Sequence, residues 1–70
     1  MTINNNHRVH YARYAVRSYL WSKGQAIEED ETAVIDLLAD LRHYCGATGL
    51  CFSDLAQIAE GHYVAEYHEP

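Results

Sequence analysis

The chain is short of cysteine, of long apolar runs and of glycine-rich loops, and each shortage closes a class of protein. Two cysteines, Cys45 and Cys51, are too few for the disulfide framework of a secreted mini-protein. The expectation is a reduced pair in the cytoplasm, each thiol packing as a small hydrophobe. No apolar run approaches the ~18 residues of a membrane span, and no signal-peptide core is visible. Neither a P-loop nor a dinucleotide fingerprint is present. No segment sustains the alternation of a strand. Acid is missing from residues 1–23, where Arg8, Arg13, Arg17 and Lys23 give +4. Base is nearly missing from residues 24–70, where Arg42 alone faces all ten acids and the sum is −9. The net charge of −5 therefore hides a strong asymmetry, of the kind that marks a charged interaction surface.

What is present is an ordinary globular balance, 49% hydrophobic and 21% charged over 70 residues. A chain this short buries only about 60% of its unfolded surface, so its core is thin, which argues against a deep enclosed active site. The expected organisation is a single domain over residues 1–70, with a flexible N-terminus over 1–5 and a fraying tail over 67–70.

The periodicity predicts three helices. The first is capped by Asn5 or Asn6 and runs to about Ser22. Val9, Ala12, Val16, Tyr19 and Leu20 share its stripe, and Lys23 and Gly24 close it. The acids Glu28 to Glu31 suit the N-terminus of a second helix, where the macrodipole favours negative charge and Asp30 can cap. Val34, Leu37, Leu38, Leu41 and Cys45 form its expected buried face, and Gly46 and Gly49 its expected end. Ser53 is the expected cap of a third helix with Leu55, Ile58, Ala59 and His62 on one stripe and Gly61 weakening it. The fold class is all-α, a compact three-helix bundle.

Few residue groups carry chemistry. Asp36, Asp40 and His43 share a helix face, and carboxylate with imidazole at that spacing can hold a divalent metal, but a solvated acidic stripe has the same pattern. His43, Cys45 and Cys51, with His62, lack the C-x2-4-C spacing of a zinc site. Cys45 and His43, two apart on a helix, point to different faces and do not make a nucleophile and base. The expectation is no enzyme, no metal and no cofactor. On the first helix His10, Arg13 and Arg17 lie with Tyr14 and Trp21, a basic and aromatic mixture that can bind nucleic acid. The acidity of the rest favours a basic face docked on the acidic helices instead. Six tyrosines, Trp21 and Phe52 exceed what a thin core absorbs, so some should stand at the surface as interface anchors, a route to self-association.

Two resemblances extend this reading. Leu38-Ala-Asp-Leu-Arg42, then Gly49-Leu50 and Ser53-Asp-Leu-Ala-Gln-Ile-Ala-Glu-Gly61, resembles the start of a helix-turn-helix repressor. The turn carries an inserted Gly46-Ala-Thr, and no basic recognition helix follows Gly61. The stretch Val34 to Glu66 resembles small accessory proteins of phages and mobile elements, through Ile35-Asp-Leu-Leu-Ala-Asp-Leu-Arg-His-Tyr44, Gly49-Leu50, Phe52, Leu55, Ala59, His62-Tyr63 and Glu66. That likeness covers about half the chain and implies a phage setting, in which anti-CRISPR inhibitors are found.

The leading expectation is therefore an anti-CRISPR-type inhibitor in the host cytoplasm, touching neither DNA nor membrane, with its oligomeric state open and a monomer favoured. Its acidic surface would mimic DNA in the basic groove of a CRISPR effector complex and block target binding. Carboxylates at i and i+4 stand about 6 Å apart along a helix and can imitate a phosphate row. The expected contact residues are Glu28, Glu29, Asp30, Glu31, Asp36 and Asp40. The alternative is a helix-turn-helix-like phage transcriptional regulator.

Overall fold

The computed structural model describes residues 4–69; the first three residues and Pro70, part of the expected loose ends, lie outside them. Three helices make up the described chain: α1 over Asn5–Ser22, α2 over Asp30–Thr48 and α3 over Phe52–Tyr67. No strand occurs among the described residues. The all-α class with three helices is the class expected. Contacts group the chain into two units, one running to Ala39 and one beginning at Asp40, with α2 passing through the boundary.

In the first unit α1 packs with the N-terminal part of α2. The cap of α1 is Asn4, not the expected Asn5 or Asn6. Its side-chain oxygen accepts from the His7 N–H at 3.1 Å, and its own N–H donates to His7 Nδ1 at 3.2 Å. Two of the orphan donors of the first turn are thereby satisfied, with histidine standing where Glu or Gln is usual. The helix closes as predicted. Gly24 adopts φ 73°, its N–H reaches the Trp21 carbonyl at 3.0 Å, and the Gln25 N–H reaches the Leu20 carbonyl at 2.9 Å. This is the double bond pattern of a Schellman turn, which a left-handed residue permits. Asp30 is the first residue of α2 rather than its cap, since the Glu29 carbonyl already accepts from the Ala33 N–H at 2.9 Å. Leu20 and Ala33 are fully buried.

In the second unit the rest of α2 packs with α3. The helix runs through Gly46 to Thr48, so Gly46 does not end it. Gly49 does, at φ 76°, and the Leu50 N–H closes back on the Cys45 carbonyl at 2.8 Å. A mid-helix glycine costs about 1 kcal/mol against alanine, which the turns on either side can carry. Ser53 is not the cap of α3. Cys51 occupies that position without a side-chain cap bond, and Ser53 sits in the first turn. α3 extends to Tyr67, past the point where the tail was expected to fray.

The expected buried face of α2 is covered only in part: Cys45 is buried as expected and Leu37 is half-buried, but the other three residues stay more open. Val34, Leu38 and Leu41 are 42–49% exposed, and only Leu20, Ala33 and Cys45 are buried apolar residues among those described. On α3, Leu55 and Ile58 are exposed too, and Phe52 is half-buried. Periodicity identifies a face able to be buried; it does not supply the partner that covers it.

Candidate functional site

The acidic surface is assembled around the start of α2. Glu29, Asp30 and Glu31 are exposed, and Glu28, in the connection before the helix, is half-buried with Oε2 enclosed and unbonded. Asp36 and Asp40 follow on α2, four residues apart, Asp36 half-buried and Asp40 exposed. The first turn holds Asp30 and Glu31, which the positive end of the helix dipole favours.

The structure splits the six expected residues. Arg17 Nη2 meets Asp30 Oδ1 at 2.5 Å, and Lys23 Nζ stands 3.7 Å from Asp36 Oδ2. Two of the acids are thus answered by the basic helix α1 within the first unit, the docking that the charge asymmetry favoured. Such partly exposed pairs contribute at most about 1 kcal/mol each, so their role is to align α1 on α2 rather than to hold the fold. Glu29 and Glu31 have no cation partner among the described residues and present their charge outward.

The basic and aromatic mixture on α1 resolves into two faces. Tyr14 and Trp21 stand outward, Trp21 at 78% exposure, while Lys23 Nζ lies 4.8 Å over the Tyr19 ring and 3.0 Å from its hydroxyl. Arg17 is committed to Asp30. Two of the four cations of α1 and its cap thus face acids of α2, which leaves fewer of them to meet a phosphate strand.

Neither metal arrangement weighed from the sequence comes together: among the described residues no three of His, Cys, Asp and Glu are placed to hold an ion. Cys45 and Cys51 are both free thiols, Cys45 buried and Cys51 exposed. The Cys51 thiol is held below the ordinary thiol range, first by the Ser53 hydroxyl, 3.4 Å from its sulfur, and then by the Asp54 backbone N–H. Sequence reasoning missed this group by treating Ser53 as the cap. The readable signal was a cysteine directly before a helix start, where N–H groups point at an anion.

No family model, curated protein or solved structure matches this chain. Its function is therefore argued from its own surface. No described helix is long and apolar enough to cross a membrane. Between α1 and α2 the first unit carries an open groove of about 220 Å³, floored by Val9, Ala12, Val16 and Val34 and edged by Arg13 and the Arg17–Asp30 pair. A second, wider hollow of about 450 Å³ lies against the connection from Gly24 to Glu28.

Proposed function

We propose that the chain is an anti-CRISPR-type inhibitor, a protein-binding module whose acidic surface occupies the basic DNA groove of a CRISPR effector complex. The observation that carries this reading is the outward pair Glu29 and Glu31 at the start of a helix that continues to Asp36 and Asp40, in a region where Arg42 is the only base. A groove lined with Lys and Arg to replace counterions on phosphate attracts such a surface and is blocked by it. Asp30 and Asp36, engaged by Arg17 and Lys23, contribute less than the sequence pattern suggested. The regulator reading has no comparable support, because α3 carries Asp54, Glu60 and Glu66 and neither lysine nor arginine with which to meet DNA.

The test is competition. Purified CRISPR effector complexes of several types are titrated with the chain, and their binding to target DNA is followed by mobility shift at low and high salt. Inhibition of one type, weakened by salt and lost in Glu29→Lys/Glu31→Lys with helix content unchanged, is the expected result. If no effector is inhibited, or if the double reversal inhibits as well as the parent, the reading fails. A shift of promoter DNA by the chain alone favours the regulator.

A further inference from the structure

We propose that His7 makes the N-terminal cap of α1 a pH switch, closed while its imidazole is neutral and opened when a proton occupies Nδ1. The cap is a reciprocal pair. The Asn4 side-chain oxygen accepts from the His7 N–H at 3.1 Å, and the Asn4 N–H donates to His7 Nδ1 at 3.2 Å. The second bond fixes the state of the ring. A neutral imidazole has one nitrogen that accepts and one that carries the proton, so with Nδ1 accepting, the proton sits on Nε2. An imidazolium has two donors and no acceptor. In that form an Nδ1–H faces the Asn4 N–H, donor against donor, and this half of the cap is lost. Glu or Gln, usual at this position, keep an acceptor oxygen in either state of charge. Histidine instead changes charge between about pH 5 and 8.

No group in the first unit is placed to hold the imidazolium. The first turn of α1 has no acid, and the positive end of the helix dipole lies there, which disfavours a cation. Arg8, the next residue, adds a positive charge of its own, with Nη1 donating to the Asn5 side chain at 2.9 Å. The Tyr11 ring is stacked on His7 with centroids 6.5 Å apart, and His10 meets the same tyrosine edge-on. Among the acids of α2 in this unit, Asp30 and Asp36 are drawn to Arg17 and Lys23, farther along the chain, and Glu31 is exposed. The lost acceptor and the dipole therefore act in one direction. The cap stabilises α1 on the alkaline side of the histidine range and is lost as pH falls through it.

The switch acts on one turn and not on the fold. Asn5 to Arg8 leave the helix, while Leu20, fully buried near its opposite end, keeps α1 seated. The inference stands whether or not the acidic surface inhibits an effector.

Nuclear magnetic resonance of the full chain, titrated from about pH 8 to about pH 5, reads both halves of the proposal. The nitrogen shifts of His7 should show the Nε2–H tautomer at the alkaline end. As His7 protonates, the Cα shifts of Asn5 to Arg8 should move toward coil, the frayed fraction of that turn rising roughly threefold or more, as the loss of a cap requires, while those around Leu20 stay. His7→Gln keeps the reciprocal cap with an acceptor that does not titrate, and should hold the first turn in the helix throughout. His10→Gln, outside the cap, should retain the transition. An Nδ1–H tautomer at the alkaline end overturns the proposal. So does a first turn unmoved while His7 protonates, or the same movement in His7→Gln as in the parent.

Discussion

Leu20 is the only large side chain fully buried among the described residues, and it should dominate the stability of the first unit. Replacing it by alanine removes three carbons. At ~0.8 kcal/mol each, transfer alone accounts for about 2.4 kcal/mol, and the cavity left behind brings the expected loss into the range of ~2–5 kcal/mol. Leu38 lies in the same unit and loses the same three carbons on substitution, but it is 49% exposed. Roughly half the transfer term applies there, with no closed cavity, and alanine is the better helix former, so about 1 kcal/mol is expected. A domain of this length has about 4–10 kcal/mol in total, so Leu20→Ala stands near the limit of folding and Leu38→Ala well inside it. Urea unfolding followed by circular dichroism reads both. With a slope near ~1 kcal/mol per molar, the midpoint should fall by about 2 M or more for Leu20→Ala and by about 1 M for Leu38→Ala. Protein concentration is held constant across the series, so that any mass-action contribution is the same for each variant. Equal losses, or a larger loss at Leu38, would falsify the assignment of the core to Leu20.

The glycines and the exposed thiol give further tests. Gly24→Ala and Gly49→Ala force a side chain into positive φ and should each destabilise by about 1 kcal/mol. Gly61→Ala meets open space in a helix and should stabilise by up to about 1 kcal/mol; thermal unfolding orders the three, and a loss at Gly61 as large as at Gly24 refutes the distinction. Cys51 should be alkylated by iodoacetamide well before Cys45, which is buried. Since the Ser53 hydroxyl and the Asp54 N–H favour the thiolate, its rate should climb with pH through a range below that of an ordinary thiol, and Ser53→Ala should move that climb upward. Mass spectrometry of timed samples decides it, and equal labelling of both cysteines at every pH contradicts the geometry.

Much of this protein is legible along the chain because its rules are local. Helix periodicity placed α1, α2 and α3, and Gly24 and Gly49 marked two ends, since a left-handed residue after a helix is a matter of backbone sterics within six residues. The charge asymmetry, too, needs only counting, and from it followed the docking of basic α1 toward acidic α2. Local rules gave ambiguous answers where neighbours compete: Asn4, Asn5 and Asn6 offer the same accepting cap oxygen on paper, and Ser53 looks a better cap than Cys51. Three features belonged to the tertiary structure alone. Arg17 and Asp30 lie 13 positions apart, so no window along the sequence could pair them and leave Glu29 and Glu31 as the outward charges. The groove over Val9, Val16 and Val34 exists only because α1 and α2 are brought together. Above all, the leucines of α2 carry the pattern of a buried face, and yet Leu37 is only half-buried while Leu38 and Leu41 keep 49% and 42% of their surface exposed, because periodicity records which surface gains by being covered, whereas burial depends on the neighbours that the fold brings to it.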